Sequence, residues 1–306
     1  MGRKDLLGLK ELDASELINI LDVAREMKKI LAQGVKRVPH LQNKSMVTLF
    51  YENSTRTRMS FELAGKFLSA SVSNVVVANS SVQKGESLID TGKTLDALMT
   101  DVIVIRHNCS GAPHLLAKNV KASVLNAGDG MNEHPTQALL DMFTMREKLG
   151  EIKGLKVAIV GDIKHSRVAR SNIIGLSKLG ADVYISAPGT LIPYDIEKMG
   201  AKVCPLDKAV EGANVVMGLR MQLERQQSGL IPSRKEYGRF YGLTDERMTK
   251  AAKNALVMHP GPLNRGVELT SEVADCGQSV INEQVTNGVA VRMAVLFLLT
   301  RGGRKI

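Results

Sequence analysis

The sequence predicts an α/β protein of two domains, each a mainly parallel sheet flanked by helices, with the active site in the crevice between them. Three observations carry this. Short β-rich runs alternate with helical stretches from residue 46 onward, and the cycle restarts at Lys156. At 306 residues the chain exceeds one ordinary domain, one large α/β barrel being the alternative that length alone leaves.

Asp13-Ala14-Ser15-Glu16 reads as a capping box, after which Leu17, Leu21, Ala24, Met27 and Leu31 recur at helical spacing until Gly34. Runs at 46–51, 72–78, 102–105 and 124–126 have strand character, separated by helical stretches that begin near Thr57, Ser87, Ala112 and Thr136. In the second half the strand-like runs are 157–160, 183–186, Val203, 215–219 and 255–258. An amphipathic stretch at 135–149, stopped by Gly150, is expected to link the halves, and a last helix at about 282–300 to fold back across the junction. The expected domains are therefore 1–134 plus 285–306, a linking helix 135–149, and 150–284. Residues 226–241 show turn formers, aromatics and charges without a clear period, which predicts a long functional loop and a mobile element for closure. Met217, Met221 and Met293 read as core filler.

Composition excludes several classes. With 44% apolar and 24% charged residues the chain is neither disordered nor low-complexity. Cysteines at 109, 204 and 276 offer neither a disulfide framework nor paired zinc thiols, and they fit a reducing cytoplasm. The formal charge of +10 points to an anionic partner. Scarce aromatics, no Trp and scattered basic residues argue against nucleic acid. Nothing at the N-terminus reads as a signal, and the most apolar stretch, 289–299, contains Arg292 and is too short to span a membrane.

Ligands of open α/β sheets bind beyond the carboxyl ends of the strands. Most strand-like runs here end in reactive or charged side chains. Those in the first half lead to Ser54-Thr55-Arg56-Thr57-Arg58, to Ser80 and Lys84, to Arg106, and to His134 and Gln137; those in the second lead to Arg167, to Arg220 and Gln222, and to His259-Pro260-Gly261-Pro262. Arg56, Lys84, Arg106, Arg167 and Arg220 would line one cationic crevice. Hydroxyls, free amides and guanidinium at a helix N-terminus suit a phosphate; an ordinary Ser/Thr cap with solvated arginines is the bland alternative. His134 and Gln137, three apart in a first helical turn, can reach one ligand, and an imidazole there can donate to an oxygen gaining charge; a structural histidine is the alternative. Metal ligation is not expected, because Gln137 stands where a helical zinc pair needs a second His. His40, His107, His114 and His165 read as surface or packing residues. Residues 161–167 lack the glycines of a dinucleotide loop, and neither a GxSxG nor a P-loop lysine motif is present, so nicotinamide, serine-hydrolase and NTPase chemistry are disfavoured.

Together these residues resemble the aspartate and ornithine carbamoyltransferase family along nearly the whole chain. Ser54-Thr55-Arg56-Thr57-Arg58 is similar to its carbamoyl-phosphate signature, and Asn126-Ala127-Gly128-Asp129-Gly130 with His134-Pro135-Thr136-Gln137 is equally diagnostic. Lys84 in Val82-Gln83-Lys84-Gly85-Glu86-Ser87, and the absence of the cysteine that ornithine enzymes carry after the histidine matching His259, favour the aspartate branch. The resemblance implies carbamoyl transfer from carbamoyl phosphate to L-aspartate, the committed step of de novo pyrimidine synthesis, without a cofactor. An ornithine-type or other amine carbamoyltransferase is the runner-up, and an inactive scaffold homologue a remote alternative.

By the same resemblance Ser54, Thr55, Arg56 and Thr57 hold the phosphate, and Arg106, His134 and Thr57 contact the carbonyl oxygen. Gln137 and the carbonyls around Pro260 and Gly261 hold the carbamoyl NH2, with Gly261-Pro262 cis. Arg167, Arg220 and Gln222 bind aspartate. The catalytic set is Arg56, Thr57, Lys84, Arg106 and His134. Ser80 and Lys84, the latter also contacting aspartate, come from the neighbouring subunit of a homotrimer. A regulatory chain or another pathway enzyme is the further partner this family allows.

Overall fold

A computed structural model describes residues 2–76, 85–222 and 229–301. The chain divides into two compact units, Met1–Leu139 with Thr286–Ile306, and Leu140–Val285.

The first unit opens with α1 (Ala14–Ala32), whose capping box forms as the sequence predicts: Asp13 accepts from the Glu16 amide while the Glu16 side chain takes the Asp13 amide. Then follow β1 (Ser45–Phe50), α2 (Thr55–Phe67), β2 (Ser71–Val76), α3 (Leu88–Ala97), β3 (Val102–His107), α4 (Ala112–Ala117) and β4 (Ser123–Asp129). The four strands are all parallel, in the order β2-β1-β3-β4. Val102, Ile103, Val104 and Ile105 are buried in succession, the continuous apolar run of a strand covered on both faces. An unforeseen feature is the N-terminal segment. Leu6 bridges to β4, its amide donating to Val124 O at 3.0 Å and its carbonyl accepting from Asn126 N at 2.9 Å.

The chain crosses between units within α5 (Pro135–Leu149) and returns within α11 (Ile281–Arg301). In between lie β5 (Lys156–Val160), α6 (Arg167–Lys178), β6 (Asp182–Ser186), β7 (Ala201–Val203), α7 (Leu206–Val210), β8 (Val215–Gly218), α8 (Arg234–Tyr241), α9 (Asp245–Met248), β9 (Leu256–Met258) and α10 (Ser271–Asp275). This sheet is also all parallel, ordered β7-β6-β5-β8-β9. Met217, Met221 and Met293 are fully buried, as filler should be.

Two expectations need correction. The stretch 226–241 is not loop throughout, because residues 234–241 form α8, with the Ser233 hydroxyl accepting from the Glu236 amide at 3.1 Å. Eight residues burying chiefly Tyr237 are too few to show a period, although Ser-x-x-Glu was a legible start signal. Gln226, Gln227 and Ser228 lie outside the described residues. The second correction concerns α5, which is not amphipathic: residues 135–145 are buried without interruption, including the polar Thr136, Gln137, Asp141 and Thr144. Asp141 and Thr144 there have internal partners, Asp141 in Asn172 and Gln284 and Thr144 in Leu140 O, so they mimic a solvated face in the sequence.

Candidate active site

In the first unit the chain leaves β1 toward β2 on one side, and β3 lies on the other, so the strand order reverses between β1 and β3. Such a reversal opens a crevice at the carboxyl ends. Ser54 to Thr57 follow β1, and Arg106 lies in β3 opposite Phe50. Their convergence is therefore a consequence of strand order.

Ser54 is the N-cap of α2, yet its hydroxyl makes no capping bond. Asp13, Ser87, Ser166, Ser233, Thr244 and Thr270 all close their own helices with side-chain acceptors. The contrast disfavours the bland reading of an ordinary cap: here the first-turn amides and the hydroxyl are left to an external acceptor. Thr57 is buried, whereas Thr55 and Arg56 are exposed. Arg58 turns along the helix to Glu62 at 3.5 Å. The Arg106 guanidinium donates to Ala127 O at 3.2 Å, and its Nε lies 3.3 Å from the Glu52 carboxylate, a partner the sequence did not flag.

His134 is buried at the start of α5, its carbonyl accepting from the Gln137 and Ala138 amides at 3.1 and 3.3 Å. Asp129, fully buried, organises the loop before it. It accepts from the Gly111 amide at 2.7 Å, the Glu133 amide at 3.1 Å and the Asn126 side chain at 2.8 Å. Nearby the His107 ring packs tilted against Tyr51 with centroids 4.5 Å apart, and burial lowers its pKa from 6.5. Ser80 and Lys84 lie outside the described residues.

The second unit repeats the device. Its strand order reverses between β5 and β8. Gly161, ending β5, has φ +138°, and a Cβ there would sit 2.7 Å from Leu219 O, so only glycine lets the β8 end approach so closely. Beyond it Asp162 accepts from the His165 amide at 3.1 Å, meets the His165 ring at 2.9 Å, and receives the Gln222 amide at 3.4 Å. His165 is thus a buried packing residue, and the carboxylate ties the segment before α6 to the segment after β8. Arg167 begins α6 and is 3% exposed.

Glu268, 2% exposed, is a second tie. It accepts from the Met221 amide at 2.8 Å and the Asn264 amide at 2.8 Å, joining the segment of Arg220 and Gln222 to the turn after β9. No local signal marked it, since Met221 is 47 residues away. Burial, seconded by the Glu268 and Asp162 carboxylates, raises the Tyr237 pKa and keeps that hydroxyl neutral. The turn itself rests on a buried relay. Asp141 accepts from Asn172 and Gln284, Gln284 accepts from the His259 amide, and His259 Nδ1 accepts from the Gly261 amide. Gly261-Pro262 is cis, as the resemblance implies.

Chemically, the first half-site offers helix amides, hydroxyls and guanidinium for a phosphate, with His134 and Arg106 for a second acceptor oxygen. The second offers two arginines and an amide, a set suited to a carboxylate-bearing molecule. Among the described residues no cluster of three or more His, Cys, Asp or Glu could hold a metal ion.

Known proteins fit both halves. The family model for the carbamoyl-P binding domain of aspartate/ornithine carbamoyltransferases matches residues 4–147, and that for the Asp/Orn binding domain matches 153–299. An aspartate carbamoyltransferase catalytic subunit of Acetivibrio thermocellus is 66% identical over 97% of this chain and 96% of its own. One from Ruminiclostridium cellulolyticum is 63% identical over 98% and 96%. Among solved structures, aspartate transcarbamoylase of Trypanosoma cruzi with carbamoyl aspartate and phosphate aligns at TM-score 0.86 and 30% identity over 96% and 95% of the two chains. Ornithine carbamoyltransferase of Pyrococcus furiosus aligns at 0.87 and 31% over 98% of each. Backbone shape alone therefore does not separate the two acceptors.

Proposed function

We infer the reaction from one premise, that the chain belongs to the aspartate/ornithine carbamoyltransferase family: it transfers the carbamoyl group of carbamoyl phosphate to the amine of L-aspartate, giving N-carbamoyl-L-aspartate and phosphate. The observation that carries the site assignment is the unclosed N-terminus of α2 at Ser54. Aspartate as acceptor is supported by relatives at 60–66% identity, all of the aspartate branch, and by Pro260 where the ornithine pattern has a cysteine.

In this reading Ser54, Thr55, Arg56 and Thr57 hold the phosphate. Arg106, His134 and Thr57 face the carbonyl oxygen, and Gln137 with the Pro260–Pro262 turn holds the carbamoyl NH2. Arg167, Arg220 and Gln222 take the aspartate carboxylates. Residues 1–134 with 285–306 serve carbamoyl phosphate, and 150–284 serve aspartate. Both reagents are polyanions, so cations must first offset their repulsion in a site of lower dielectric than water. The amine then attacks the carbamoyl carbon and negative charge grows on the oxygen. Removing one of its donors costs about 3 kcal/mol of barrier. The C–O bond to phosphate breaks, the amine proton passes to the departing phosphate, and no covalent enzyme intermediate forms. The protein acts as a cytoplasmic homotrimer in pyrimidine synthesis, with Ser80 and Lys84 reaching a neighbour's site.

The test is product formation with aspartate and, separately, ornithine. Wild type is expected to yield carbamoyl aspartate only. Arg56→Ala should lose at least a hundredfold in kcat/KM for carbamoyl phosphate with an unchanged melting temperature. Carbamoylation of ornithine by the wild type would overturn the acceptor assignment.

A further inference from the structure

We propose that Glu133 is a positioning residue for His134, and that the N-terminal segment around Gly8 holds it in place. The inference deepens the reading above, since it assigns His134 its role at the carbonyl oxygen. Glu133 immediately precedes that imidazole and is 6% exposed. Its amide donates to Asp129 Oδ1 at 3.1 Å, and its carbonyl accepts from the Asp129 amide at 3.1 Å. Its side chain accepts from the Leu9 amide at 2.8 Å and from the Lys10 amide at 3.4 Å. With the His134 carbonyl engaged by the first turn of α5, the backbone on both sides of the imidazole is pinned.

The far end of this grip is built, not incidental. The N-terminal segment is stitched to β4 through Leu6, through Asp5 accepting the Val124 amide at 2.7 Å, and through Leu7 O accepting from Asn126 Nδ2 at 2.8 Å. Asn126 in turn holds Asp129. Gly8 lies against the carboxylate: a Cβ there would overlap Glu133 Oε1 and come within 2.9 Å of Cδ. Any side chain at position 8 must displace the carboxylate, first at Oε1, the oxygen that accepts from the Lys10 amide. A buried carboxylate is expensive to desolvate, and one whose partners are backbone amides from a distant segment transmits the position of that segment to the residue beside it. A shift of about 1 Å at a reacting group can cost roughly a hundredfold in rate.

The experiment uses the full chain with 13C-labelled histidine and compares Glu133→Ala, Glu133→Gln and Gly8→Ala with wild type. The His134 ring signal is assigned by its loss in His134→Gln. Glu133→Ala and Gly8→Ala are expected to move that signal and lower kcat about tenfold to a hundredfold, with KM for aspartate within about twofold. Glu133→Gln keeps an acceptor for the Leu9 amide and should retain kcat within about threefold. An unmoved His134 signal in Gly8→Ala, or a Glu133→Gln variant as impaired as Glu133→Ala, would overturn the proposal. If Glu133→Ala does not fold, the other two variants decide. The ring signal needs no turnover, so it judges Glu133 even where wild type forms no carbamoyl aspartate, a result that would sink only the reaction itself.

Discussion

His107 shows how far one residue's chemistry follows from its surroundings. Its Nδ1 accepts the Cys109 amide at 2.9 Å, which requires that nitrogen unprotonated. Burial lowers its pKa from 6.5, against smaller opposing effects of Glu52 and Asp129. The folded state thus takes up the proton less readily than the unfolded one. The stability it contributes is present above about pH 6.5 and is lost as pH falls from there through the depressed value. His107→Asn keeps an acceptor and removes the titration, so its melting temperature should fall less than that of wild type between pH 7 and 5. Parallel curves would refute this. Sequence reading left His107 as a surface or packing residue, and its packing on Tyr51 and the bond to Cys109 depend on contacts no local pattern encodes.

For elements, two helix starts that look alike in sequence behave differently. Asp13 closes α1, while Ser54 leaves α2 open. Asp13→Ala should therefore lower the melting temperature by about 3 °C and leave both KM values alone. Ser54→Ala should barely change the melting temperature and raise KM for carbamoyl phosphate about tenfold. Calorimetry with steady-state kinetics on both variants checks the pair, and an equal stability loss would mean that Ser54 is an ordinary cap. Strand positions were legible because parallel strands read as continuous apolar runs, whereas α8 was not, being too short to repeat. The apparent amphipathicity of α5 misled because polar groups such as Asp141 are buried and bond internally, here to Asn172 and Gln284.

At the scale of the whole molecule, the proposed trimer makes a test that no single chain can pass. If Lys84 serves a neighbour's site, Lys84→Gln and Arg56→Ala proteins should each be nearly inactive, and dissociating and reassembling the mixture should recover substantial activity, because some sites then carry neither lesion. No recovery in verified hybrids would show that each site is made within one chain. Net charge bears on the same scale: carbamoyl phosphate should bind less tightly as salt rises, since exposed cations such as Arg56 are screened within about 10 Å at 0.1 M.

Residue order along the chain was enough to establish the α/β class, most strand positions and the capping box of α1, and to single out the groups proposed to bind anions. These rest on local propensity and on the donor and acceptor groups each side-chain type carries. Tertiary structure alone decided the strand orders, and with them the reversals at β1/β3 and β5/β8 that bring the segment after β1 beside the end of β3 and the segment of Arg167 beside that of Arg220 within their own units. It also supplied the buried carboxylates of Asp129, Glu133, Asp162 and Glu268 and the partly buried one of Glu52. Their partners lie as far as 124 residues away, and a hydrogen bond over that separation leaves no periodic trace in the sequence.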